Sequence, residues 1–101
     1  MNKIVLNNTE FEVESFNKTT NFSGGMVSGT GYVSILGNVA ATLTELAAEL
    51  ITSIKIYHDN NLIYSLEDIH CKIDSLNEYL AGDRMNTSIN LTFNETIVEE
   101  N

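Results

Sequence analysis

Proline is absent from this chain, cysteine occurs once, and bases are scarce, with 5 Lys and Arg against 14 Asp and Glu. Each shortage removes a class of explanation. With no Pro-rich stretch and no shift in composition, nothing marks a linker, and residues 1–101 read as a single domain near the commonest domain size. The lone thiol, Cys71, has no partner for an internal disulfide. Stability must then come from a core, and a chain of this length can hide roughly two thirds of its unfolded surface. The net charge is −9, and Lys3, Lys18, Lys55, Lys72 and Arg84 are scattered singly. That arrangement argues against direct binding of nucleic acid, whose phosphates need clustered bases, and against an anionic membrane surface. No apolar run approaches the roughly 20 residues of a membrane span. The run after Lys3 is only Ile4–Leu6, too short for a secretory signal, so the expectation is a soluble, cytosolic product. Asn-x-Ser/Thr triplets begin at Asn7, Asn17, Asn21, Asn86, Asn90 and Asn94. Without a secretory signal they read as a by-product of a composition rich in Asn, Thr and Ser.

What is present is alternation. Lys3–Leu6 and Glu10–Phe16 are strand-like runs joined by Asn7-Asn8, and Asn suits a tight turn because it tolerates positive φ. Asn17–Gly25 is polar and ends in Gly-Gly, which predicts a loop. Met26–Leu36 alternates again, with Val27, Gly29, Gly31, Val33 and Ile35 on one face. Two glycines on an apolar face predict a bulge or the close approach of another backbone. Val39–Leu50 reads as a short helix rich in alanine, and Thr42 and Glu45 have capping-box spacing. Ile51–His58 and Leu62–Leu66 form a second hairpin around Asp59-Asn60-Asn61.

The ambiguous stretch is Leu66–Leu80. Leu66, Ile69, Ile73, Leu76 and Leu80 recur at spacings of three and four, a helical stripe that Ser65 and Asp68 would cap, whereas Ile69, Cys71 and Ile73 alternate as in a strand. The periodicity predicts a helix here. A last strand places Thr87, Ile89, Leu91 and Phe93 inward and Asn86, Ser88, Asn90, Thr92 and Asn94 outward. The expected class is therefore α+β, a mostly antiparallel sheet of five to six strands with one or two short helices.

Chemistry is thin. His58, His70 and Cys71 are the good soft-metal ligands, and they show none of the paired spacing of zinc sites, so no metal is expected. His70 with Glu67 or Asp74 has the spacing of an ordinary helical surface pair. Gly24–Gly31, GGMVSGTG, lacks the Gly-Lys-Ser/Thr ending of a phosphate loop and sits in a strand pattern. No catalytic residue and no cofactor is expected. Two rows remain as candidate partner-binding surfaces. In TEFEVESF, Glu10, Glu12 and Glu14 would lie about 6.6–6.8 Å apart on one face of a strand, like phosphates along a nucleic-acid strand. The same row also serves as the wet face of an amphipathic strand, where charge deters edge pairing. On the last strand, Asn86, Ser88, Asn90 and Thr92 form an uncharged polar row that can either solvate or pair with a neighbouring copy. Tyr32, Tyr57, Tyr64 and Tyr79 are possible interface anchors.

The stretches ITSIKIYHDNNLIYSLEDI (Ile51–Ile69) and EYLAGDRMNTSINLTF (Glu78–Phe93) resemble segments of small uncharacterised proteins from bacteriophages and prophages of low-GC bacteria. The resemblance covers about a third of the chain. It implies a phage origin, a place in the bacterial host cytoplasm or the virion, and a non-enzymatic role; it also favours strand near Ile69–Ile73. The leading expectation is a small self-associating virion or accessory protein, a homo-oligomer that docks on a phage assembly component. The alternative is an acidic inhibitor of a host defence protein, acting as a nucleic-acid mimic on a CRISPR-type effector or as a nucleotide-signal sponge.

Overall fold

The computed structural model describes residues 1–23 and 26–95. Its elements are β1 (Asn2–Leu6), β2 (Thr9–Ser23), β3 (Met26–Ile35), α1 (Ala40–Ala47), β4 (Ile51–His58), β5 (Asn61–Ala81) and β6 (Arg84–Glu95). The six strands are antiparallel and close into a barrel in the order β1-β2-β3-β6-β5-β4, with β4 returning to β1. The antiparallel sheet is as expected at its coarse level, and the described residues hold one short helix, so the fold is mostly β.

Two asparagine-rich turns start the construction. Asn7 takes φ 57°, and its side chain accepts from Thr52 N at 2.9 Å and donates to Leu50 O at 3.2 Å. The β1–β2 turn is thereby latched to the start of β4. Between β4 and β5 the loop is Asp59-Asn60, both at positive φ (50° and 71°), the backbone of a tight two-residue hairpin whose twist matches its strands. The Met1 ammonium bonds Asp59 Oδ1 at 2.7 Å. That bond, then the ammonium charge and His58 beside it, hold the Asp59 carboxyl below its ordinary range.

Inside the barrel, Ile4, Leu6, Val33, Ile35, Ile51, Ile54, Ile89 and Phe93 are wholly buried. The glycine face of β3 behaves as its pattern predicts. A Cβ on Gly31 would stand 2.8 Å from Phe93 Cε1, and one on Gly29 would stand 3.0 Å from Thr19 O. The bare backbone at these positions leaves room for the Phe93 ring. Helix α1 packs Leu43 and Leu46 against this core. Its expected capping box does not form: Val39 is the N-cap without a side-chain bond, and Thr44 Oγ1 donates to Ala40 O at 2.7 Å. The approach to the helix is held from β6 instead. Thr87 Oγ1 accepts from Val39 N at 3.3 Å and donates to Gly37 O at 3.0 Å.

Two local expectations are overturned. Asn17–Ser23, expected as loop, continues β2, paired with β3 to its end; Gly24 and Gly25 lie outside the described residues. The segment has no apolar alternation because its inward positions include Lys18 and Thr20, which lie opposite Gly31 and Gly29, and Lys18 reaches over the buried Phe93 ring. Leu66–Leu80 is strand, not helix, as part of the 21-residue β5. Its helical stripe is an effect of irregular pairing. Asp68 sits at φ 59°, where the β4 register breaks, and Asp74 is the extra residue between Ile73 and Ser75 opposite β6. Each irregularity changes which face the next residues use. Leu66 to Ile69 and Ile73 to Leu76 are thus three apart, while Ile69, Cys71 and Ile73 keep the strand's period of two. Leu80 is exposed.

Cys71 lies in this wall, wholly buried. Burial, and secondarily the Asp74 carboxylate, push its thiol up to about 12. Since the thiolate is the reactive form, Cys71 is expected to ignore an aromatic disulfide reagent at pH 8 and to react fully once urea unfolds the chain. Rapid reaction of the folded protein would contradict that burial.

Candidate interaction site

Closure of the barrel is uneven because its strands differ in length. β1 covers β2 only from Thr9 to Val13, and β2 then runs on to Ser23 with β3 as its one paired neighbour among the described residues. Beyond the start of β1 this leaves a recess of about 410 Å³ between β2 and the β4–β5 hairpin. Val13, Phe16, Ile56, Ile63 and Tyr64 supply most of its apolar wall, with Asn2 and Lys18 among its polar lining. Phe16 and Tyr64 face each other across it, ring centroids 6.1 Å apart at a 45° tilt. Lys18 Nζ donates to Thr20 Oγ1 at 3.0 Å and lies 5.3 Å from the centre of the Phe93 ring. Ile63 is the residue left over where the β4–β5 register shifts, Tyr64 pairing with Ile56 and Leu62 with Tyr57.

The exposed large apolar side chains gather at hairpin ends. Phe22 is 76% exposed near the β2–β3 tip, and Leu62, Ile63 and Tyr64 stand out beside the β4–β5 turn. Leu80, 66% exposed, lies opposite exposed Met85 on the β5–β6 arm at the other end of β6. These projecting hairpins draw the molecule out to 50 × 28 × 22 Å.

The two rows anticipated from sequence fare differently. Glu10, Glu12 and Glu14 are all exposed on β2. Glu10 has Lys3 at 3.9 Å, and Glu14 sits at the bulge between Val13 and Ser15. There Glu14 accepts from Ser34 Oγ at 3.1 Å, and Ser34 shares a 2.5 Å hydrogen bond with the Tyr79 hydroxyl. On β6, Asn86 and Ser88 are only 4% exposed, which corrects the expectation of an open polar row. Asn86 Oδ1 accepts from Gly37 N at 2.9 Å, and Ser88 pairs with buried Ser34. Asn90 stays at the surface, donating to Ser75 Oγ at 3.0 Å, and half-buried Thr92 donates to Asp74. The row available to a partner is thus reduced to Asn90 and Thr92.

Sequence reasoning missed the recess and the exposed edge of β2. Phe16 and Phe22 flanking a polar run were the visible signal, and reading that run as a loop hid it. Among the described residues no three His, Cys, Asp or Glu side chains converge on a possible metal position, and no helix is long and apolar enough to cross a membrane. No protein-family model, no curated protein and no solved structure matches the chain.

Proposed function

We propose that this chain is a non-enzymatic interaction protein, a small virion or accessory component that associates with itself and docks on a larger assembly. The observation that carries the reading is the placement of Phe22, Leu62, Ile63, Tyr64, Leu80 and Met85 in water at the hairpin ends. A protein that works alone gains nothing by gathering large apolar groups on projections, whereas such groups are the usual anchors of protein interfaces. The likeness of Ile51–Ile69 and Glu78–Phe93 to small phage proteins supports the virion or accessory context. The two ends divide the work: the β2 and β4–β5 rim serves self-association, and the Leu80–Met85 arm is left for the assembly.

Light scattering after gel filtration tests the first half. The expected result is a defined oligomer, a whole multiple of the 11.2 kDa chain, at both low and moderate salt. Persistence across salt follows because an apolar interface is little screened. A monomer at every concentration would remove self-association from the reading.

A further inference from the structure

The segment Phe16–Phe22 reads FNKTTNF, and backwards it reads FNTTKNF. Apart from the exchange of Lys18 with Thr20, it is its own mirror image about Thr19. The same segment is the part of β2 with a paired strand on one side only among the described residues. It contains no acid in a chain that has 14 of them, and it ends in Phe22, the most exposed of the large apolar side chains. We propose that this edge is where the protein dimerises: two copies pair antiparallel along Phe16–Phe22 about a two-fold axis at Thr19, so that one sheet runs through both barrels. The inference rests on the self-association reading above and names its surface.

Pairing about Thr19 matches every position with a compatible one. Phe16 meets Phe22 of the second copy, Asn17 meets Asn21, Lys18 meets Thr20, and Thr19 meets Thr19. Each aromatic and amide pair occurs twice, as a self-complementary two-fold interface requires. Directly opposed aromatic pairs and Thr–Thr pairs are favourable across antiparallel strands, and like charges there are not. Moving the axis to Lys18 would oppose the two lysines and set Phe22 against Glu14. Moving it to Thr20 would oppose Phe22 with Lys18 and leave Phe16 beyond the matched segment. An axis that pairs odd with even positions would set Phe16, which lines the recess, against residues of the other face. The recess completes the fit. In the Thr19 register Phe22 of the second copy arrives beside Phe16, at the apolar wall formed with Val13, Ile56 and Tyr64. The main-chain groups along the edge supply the remaining hydrogen bonds, as in strand addition generally. Because the interface is used up by the two-fold, association stops at two copies instead of continuing as a fibre.

The test is a pair of single cysteines in the full chain. Opposed residues in antiparallel strands have Cα atoms about 4.5–5.5 Å apart, within the range a disulfide spans. Thr19→Cys is exposed and should form a disulfide-linked dimer under mild oxidation, with wholly buried Cys71 silent. Asn17→Cys should not link, because its symmetry mate lies four residues away, about 13 Å along the strand. Phe22→Ala, at a side chain with little role in the barrel, should raise the dimer Kd about tenfold or more through the loss of two aromatic pairs. Leu80→Ala should leave it unchanged. A wild-type dimer whose Thr19→Cys variant does not link, or links no better than Asn17→Cys, overturns this interface while leaving self-association standing. A wild-type monomer at all concentrations overturns both.

Discussion

Gly31→Ala is expected to destabilise the barrel by about 1–3 kcal/mol, and Gly31→Val by more, in the range seen for overpacked cores. Two effects oppose each other at this position. Removing a glycine from a strand interior is favourable by about 0.5–1 kcal/mol, because the unfolded chain loses freedom. Against it stands the clash: the new Cβ lies 2.8 Å from Phe93 Cε1, 3.4 Å from Cζ and 3.5 Å from Asn17 O. Neither side can yield cheaply. Phe93 is wholly buried, and β3 is held by β2 on one edge and β6 on the other. The clash therefore wins, and valine adds two methyl groups to it. Urea unfolding measures the loss, and Phe93→Leu in the Gly31→Ala background should recover part of it as a coupling between neighbours. A Gly31→Ala variant within about 0.5 kcal/mol of the parent, the scatter of neutral surface changes, would mean that the Phe93 ring does not occupy the space above Gly31.

Leu43→Ala is expected to cost about 2–5 kcal/mol, the range for truncating a fully buried leucine. Helix α1 has eight residues, fewer than an isolated helix needs to persist in water. It lacks a side-chain cap, and its buried side chains are Leu43 and Leu46 alone. Nearly all of its stability therefore comes from packing through Leu43 and Leu46, and Leu43 is the more deeply buried at 0% exposed. Each kcal/mol lowers the melting temperature of a domain this size by about 4–8 °C, so a fall of about 10 °C or more should follow. Thr42→Ala, at an exposed position of the same helix, should leave it nearly unchanged. Equal effects from the two substitutions would mean that α1 does not close onto the core as described.

Features that depend on near neighbours along the chain are legible in the residues alone. Asn7 and Asp59-Asn60 were legible as turns because positive φ is a property of one residue and its side chain. The strands 51–58 and 26–35, the helix within Val39–Leu50, and the need for bare backbone at Gly29 and Gly31 were legible because a period of two or of 3.6 records which face is buried. The exposed glutamates of TEFEVESF belong here too, since they alternate with buried Phe11 and Val13.

The remaining features depend on contacts between residues far apart in the chain. In β5 the irregular residues Asp68 and Asp74 reset the alternation, and two resets produced spacings that imitate a helix. A bulge is specified by the strand across from it, so no local pattern distinguishes the two cases. In β2, Asn17–Ser23 reads as loop because its residues are polar, and the strand is set by its pairing with β3, whose glycines make room for a ring from β6. Asn86 and Ser88 look like surface residues until Gly37, from the connection to α1, and Ser34, from β3, are laid against them. Burial of a polar side chain is a long-range event that leaves no trace in its immediate neighbours. The same holds for the recess between β2 and the β4–β5 hairpin, which lies where β2 continues past its pairing with β1.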